Sequence, residues 1–132
     1  MPALVLDASS ALRIVLDPAR EVETLNKLKH AEAVYAPALF VAETANALWK
    51  YVNGGHVALD NAKRLHVDAT TLVDRFVADS ELFPEALIVA ADSKHPVYDA
   101  LYAVTARRKA ASIMTSDKRL AALAGRLGIA VC

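Results

Sequence analysis

The sequence predicts a single α/β domain over residues 1–132, with a short parallel sheet of four to five strands and helices on both faces. Three observations lead there. Short continuous apolar runs at Leu4-Val5-Leu6, Ala33-Val34-Tyr35-Ala36 and Ile113-Met114-Thr115 have the pattern of strands covered on both sides. Helical segments alternate with these runs from end to end, which favours right-handed crossovers and a parallel order. The 132 residues are 55% hydrophobic and 23% charged, with four glycines and five prolines, enough for one core and too few for a second.

Composition also narrows the function. Met1 to Leu6 has no basic n-region and meets Asp7 early, and no uncharged run approaches the ~18 residues of a membrane span, so the expected setting is cytoplasmic with no membrane. Cys132 is the only cysteine, which excludes an internal disulfide, a thiolate zinc cluster and a Cys/His nucleophile. Fifteen basic residues balance fifteen acidic ones. If four acids share one site, the rest of the chain carries fifteen positive and eleven negative charges, so nucleic acid stays possible as a partner without being indicated by charge alone.

The strand Leu4-Val5-Leu6 ends at Asp7, and Ala8-Ser9-Ser10 turns into a helix that reaches about Leu16 and stops at Asp17-Pro18. Asp7, Ser9 or Ser10 can cap that helix, while Asp7 is also a carboxylate at the edge of the sheet where ligands bind in open α/β folds. From Ala19 to His30 runs a polar amphipathic helix with Val22, Leu25 and Leu28 facing inward. After the second strand, Pro37 opens a helix that ends at Asn53-Gly54-Gly55. Its expected buried stripe is Val41, Ala45, Leu48 and Val52; Glu43, Asn46 and Lys50 form a separate stripe at i, i+3 and i+7.

A fourth helix is expected from Asp60 to about Phe76, with Leu65, Ala69, Leu72 and Phe76 inward and His66 as surface or filler. An edge strand falls within Val77 to Phe83, and a helix from Pro84 ends before His95-Pro96; Asp92 near its end reads as a surface acid, with an outer place in the site as the alternative. Pro96 then opens a helix that is apolar round almost its whole circumference and should be buried. Asp99 in its first turn is therefore a carboxylate with little water around it. The next strand leads to Asp117, followed by a helix from Lys118 to Leu127, a stop at Gly128 and a last short strand, Ile129-Ala130-Val131.

Asp7, Asp99 and Asp117 fall at strand ends or helix N-termini, which a parallel sheet gathers on one side, and Glu43 enters from a neighbouring helix. Several carboxylates converge without a strong penalty mainly around a hard divalent cation. Oxygen donors without His or Cys point to Mg²⁺ or Mn²⁺ rather than zinc. Such an ion can generate a hydroxide nucleophile and stabilise charge on a phosphoryl group, which makes phosphodiester hydrolysis the natural chemistry.

At Leu4-Val5-Leu6-Asp7-Ala8-Ser9, Pro37 through Glu43-Thr44-Ala45-Asn46-Ala47-Leu48, Tyr98-Asp99-Ala100-Leu101-Tyr102 and Thr115-Ser116-Asp117-Lys118-Arg119-Leu120, the chain resembles the PIN-domain family. Within that family it resembles the small VapC-type toxins of bacterial toxin–antitoxin pairs. The resemblance implies a single PIN-like domain and a metal-dependent endoribonuclease with Asp7, Glu43, Asp99 and Asp117 as catalytic metal ligands. It further implies inhibition by a small antitoxin protein and assembly as a homodimer. Ser9, Asn46, Thr115 and Ser116 match polar positions that support the site.

Rival chemistries lack their residues. Asp7-Ala8-Ser9 has no second acid for a haloacid-dehalogenase phosphatase or a receiver domain, and no Gly-x-x-x-x-Gly-Lys loop is present. A catalytically silent PIN-like module that binds RNA or protein is the remaining alternative. Lys118 and Arg119, next to Asp117, are the candidate RNA contacts; Arg107 lies roughly 12 Å along its helix from Asp99, at ~1.5 Å per residue. Phe40, Trp49 and Tyr51 fall off the expected stripe and form a candidate partner surface.

Overall fold

The structure, a computed structural model, describes residues 2–132. Strands β1 (Leu4–Leu6), β2 (Val34–Pro37), β3 (Arg75–Val77) and β4 (Ser112–Met114) form one parallel sheet in the order β3-β2-β1-β4. Seven helices connect and cover them: α1 (Ala8–Leu16), α2 (Val22–His30), α3 (Leu39–Asn53), α4 (Leu59–Thr71), α5 (Asp79–Ser93), α6 (Val97–Lys109) and α7 (Lys118–Arg126). Leu4, Val5 and Leu6 are all buried. Successive strand residues point to opposite faces, so both faces of β1 are covered.

The core is assembled round α6, on which every residue from Ala100 to Ala106 is buried. Within that stretch Thr105 returns its hydroxyl to the Leu101 carbonyl at 2.8 Å and so carries no unmet donor into the apolar interior. Leu101 and Val104 pack with Leu82, Val89 and Leu123, whereas Tyr102 and Ala106 join the cluster of β1 and β4. Because the strands are parallel, their C-terminal ends share one edge of the sheet, from which α1, α3 and α7 depart.

Several elements differ from expectation, each because of long-range contacts. The predicted Asp60–Phe76 helix stops at Thr71, and Arg75–Val77 is the edge strand, one segment earlier than Val77 to Phe83. Asp74 causes the break: its N–H donates to the Val34 carbonyl at 2.8 Å, and its Oδ2 accepts from the Val34 N–H at 2.8 Å, which ties this segment to β2. Phe76 is consequently 41% exposed, resting on Phe40 with ring centroids 5.9 Å apart. α5 begins at Asp79 and contains Pro84 in its second turn, so the proline does not open the helix. The start is fixed by Asp79, whose Oδ1 accepts the Leu39 N–H of α3 at 3.1 Å.

Near the N-terminus, Pro18–Arg20 form a separate 3-10 turn, and Val22, at the start of α2, is exposed rather than inward. The expected last strand shrinks to one bridge, Ile113 with Val131, so the sheet has four strands. On α3 the buried residues are Phe40, Thr44 and Leu48; of the expected stripe Leu48 is buried and Val52 half-buried, but Val41 and Ala45 are exposed, their places taken by Phe40 and Thr44. Phe40 is fully buried against β2 and β3 and therefore belongs to the core rather than to a partner surface.

The offset of this stripe predicts unequal costs for neighbouring truncations. Phe40→Ala should destabilise by ~3–5 kcal/mol, whereas Val41→Ala should change stability by less than ~1 kcal/mol. Urea unfolding midpoints measure both, and equal losses would contradict the stripe described here.

Candidate active site

Asp7 follows β1 directly and caps α1. Its Oδ1 accepts the Ser10 N–H at 3.0 Å and the Ser9 hydroxyl at 2.9 Å, and its Oδ2 accepts the Thr115 hydroxyl. The carboxyl is only 4% exposed. Burial pushes its pKa above the ordinary carboxylate value, against the pull of the Thr115, Ser10 and Ser9 hydrogen bonds, and the charge of Asp117 adds to the rise. Capping and placement at the sheet edge, which are alternatives in the sequence, coexist in this residue.

Thr115 links Asp7 to the opposite strand end. Its Oγ1 donates to Asp7 and accepts the Asp117 N–H at 2.9 Å, while Asp117 caps α7 by accepting the Arg119 N–H at 2.8 Å. Ser116 donates its backbone N–H to the Ser9 hydroxyl at 3.2 Å. Its own hydroxyl accepts from Arg13 Nη1 at 3.2 Å and lies 3.4 Å from that of Ser10. These contacts brace the β4–α7 turn against the start of α1.

Glu43 sits in the second turn of α3, where its Oε1 accepts the Tyr102 hydroxyl at 2.6 Å. Tyr102 is 3% exposed, and burial together with the Glu43 charge drives its pKa strongly upward, so the phenol stays a donor. For Glu43, burial raises the pKa, the Tyr102 hydrogen bond opposes it, and Asp7, Asp99 and Asp117 raise it further. Asp99, in the first turn of α6, is raised by burial and then by Asp117, with His95 and Arg119 pulling the other way.

The four acids line one cavity of about 340 Å³ together with Ser9, Asn46, Lys50 and Tyr102. Among the described residues no three His, Cys, Asp or Glu side chains stand close enough to chelate an ion as placed. The donor set nevertheless suits a hard divalent cation. It consists of carboxylates alone, and three of them are pushed toward protonation by burial and by one another, a penalty that a cation among them would relieve.

The remaining candidates divide. Thr115 stands behind the cavity and Ser116 beyond it, whereas Lys118 and Arg119 are exposed and do not line it. Of these two only Arg119 reaches a site acid electrostatically, at Asp99. Asp92 is exposed and outside the cavity. Arg107 and Arg108 are engaged with Glu85 of α5 at 3.5 and 3.7 Å, well occupied away from the acids. Sequence reasoning assigned no site role to Tyr102, Lys50, Ser10 or His95. Lys50 was detectable from its i+7 spacing to Glu43, and Tyr102 from lying one turn after Asp99; Ser10 was marked only as a candidate cap, and nothing local marks His95.

Comparison with known proteins adds the lineage. Over 120 residues, 89% of this chain and 92% of the relative, the sequence is 26% identical to Ribonuclease VapC3 of Pyrobaculum aerophilum. The fold superposes on the crystal structure of PAE2754, also from Pyrobaculum aerophilum, with a TM-score of 0.77 and 26% identity, covering 98% of this chain and 83% of the other. Residues 4–126, from the first strand through the last helix, match the PIN domain, and the chain therefore belongs to the PIN-domain family.

Proposed function

We propose that the protein is a VapC-type endoribonuclease that hydrolyses RNA phosphodiester bonds with the aid of Mg²⁺ or Mn²⁺, as the toxin of a toxin–antitoxin pair. One observation carries the reading: four carboxylates line a single cavity, and three of them, Asp7, Glu43 and Asp99, are pushed toward protonation there. The likeness to Ribonuclease VapC3 supports the choice of RNA. Asp7, Glu43, Asp99 and Asp117 would hold the ion. When bound, it supplies an acidified water and neutralises charge developing on the phosphate.

The chain's own groups do the positioning. Asp7 is fixed by donors from Ser9, Ser10 and Thr115, so its orientation is set before any ligand arrives. Tyr102 occupies one oxygen of Glu43 and leaves the other for the cavity. Asn46 and Lys50, on the same face of α3 as Glu43, offer a neutral and a cationic group to a substrate phosphate.

An amide at any one of Asp7, Glu43, Asp99 or Asp117 should lower the rate of RNA cleavage at least about 100-fold, or ~2.7 kcal/mol of barrier. Tyr102→Phe should lower it about 10- to 100-fold, as loss of a partner to a metal ligand does. Cleavage of a labelled RNA with and without EDTA tests both. Full activity in excess EDTA refutes the metal-dependent reading, whereas no cleavage with Mg²⁺ or Mn²⁺ present would put the silent binding module in its place.

Stability should respond to pH in a defined sense. Asp7, Glu43 and Asp99 have folded pKa values above their unfolded ones, so their favourable contribution is complete below the unfolded carboxylate range and is lost as pH rises through the raised values. The metal-free protein should therefore lose stability from these groups as pH rises from below the ordinary carboxylate range toward neutral. Asp99→Asn should raise the neutral-pH Tm of the metal-free protein and diminish the further rise on adding Mg²⁺. Thermal melts at both pH values, with and without Mg²⁺, measure this; an Mg²⁺ response untouched by the substitution would remove Asp99 from the ion site.

A small antitoxin protein and a second copy of the chain are the proposed partners. Two apolar surfaces support them: Trp49 with Leu59 between α3 and α4, and Leu87 with Ile88 on α5, each residue at least 58% exposed. Light scattering of the Leu87→Glu, Ile88→Glu double variant should show half the mass of the parent. A parent that is already monomeric would end the proposal of a second copy at α5.

A further inference from the structure

We propose that a single RNA strand leaves the acid-lined cavity along the trough between α1 and α3, with Lys50 holding a phosphate and Tyr51 stacking on an unpaired base. The inference rests on the ribonuclease reading and adds the path and form of its substrate. The trough, about 500 Å³, shares Ser9, Leu12, Ala47 and Lys50 with the acid-lined cavity and is its direct continuation. Beyond those four it is bordered by Arg13, Leu16, Tyr51 and His56.

Its chemistry is the reverse of the cavity's. No carboxylate lines it, in a chain whose acids and bases otherwise balance. The floor of Leu12, Leu16 and Ala47 is apolar and suits the face of a base, and the rim carries the cations. Lys50 stands where cavity and trough meet and forms no ion pair among the described residues, so its ammonium is available to a phosphate. Arg13 is held in place by Glu21 at 3.3 Å and Ser116 at 3.2 Å, which lessens its free charge but fixes its position. Tyr51 is 40% exposed, and an exposed ring can stack only on a base that is not already paired and stacked in a duplex. On the opposite rim, Lys118 and Arg119 do not line the cavity, so the cationic continuation lies on the α1–α3 side.

Fluorescence anisotropy tests the path, with a labelled mixed-sequence single-stranded RNA of about 12 nucleotides bound to the full chain carrying Asp99→Asn to prevent cleavage. Lys50→Ala in that background should weaken binding and flatten the slope of log affinity against log salt by about 0.7, the value for one phosphate contact on a single strand. Tyr51→Ala should weaken binding about 5- to 100-fold with the slope unchanged. Lys29→Ala, on the exposed face of α2, should do neither, and a duplex of equal length should be insensitive to Tyr51. Melting temperatures check that each variant is folded, and all three side chains are exposed. Parent-like affinity and slope in both Lys50→Ala and Tyr51→Ala would overturn the path while leaving the ribonuclease reading intact. A parent that binds no RNA would end both. Loss of antitoxin capture by Tyr51→Ala with RNA binding unchanged would assign the trough to protein and overturn the proposal.

Discussion

The hydroxyl of Thr115 joins the two strand ends on which the site is built, donating to the Asp7 carboxylate and accepting the Asp117 backbone N–H. That bridge is possible because β1 and β4 are adjacent and in parallel register, Leu6 opposite Met114, which brings the next residues of both strands to the same edge. Asp7 can then cap α1 and Asp117 can cap α7 from neighbouring positions, and both carboxyls face the cavity that α3 and α6 complete. Loss of the register would separate the two caps as well as the two acids.

Burial and like charge oppose this gathering, and the surroundings answer it unevenly. Asp7 is the most enclosed acid and has the most donors, three side-chain or backbone groups on two oxygens. Glu43 has one strong donor in Tyr102, itself locked in the core by α6. Asp99 has only the distant positive influence of His95 and Arg119. The residual penalty is spread over three carboxylates and not concentrated in one, which is the arrangement expected where a shared counter-charge, not a private hydrogen bond, is to complete the site.

Outside the cavity, a formal net charge of zero conceals strong local contrast. Four of the fifteen acids are collected at one sheet edge, a trough without acids adjoins them between α1 and α3, and the arginines of α6 are paired with Glu85. Apolar side chains remain on α3, α4 and α5 after the core is filled, so those faces are free for association. Function therefore rests on where like groups are segregated, and overall composition conveys little of it.

The sequence by itself determined the α/β alternation, the central position of β1, the burial of α6 and the siting of Asp7, Asp99 and Asp117 at element boundaries. These follow from short-range periodicity and from Pro, Gly and Asp at chain ends, which act within a few residues. Only the tertiary structure decided the end of α4, the start of α5 and the buried face of α3. There Asp74 pairs with Val34 and Asp79 with Leu39 across forty residues, and Phe40 outcompetes Val41 for the space beneath β2 and β3. Tertiary structure also decided that Lys50, not Lys118 or Arg119, borders the cavity, and that Tyr102 holds Glu43. Side-chain direction depends on how a helix is rotated against its neighbours, and that rotation is set by packing volumes contributed from distant parts of the chain.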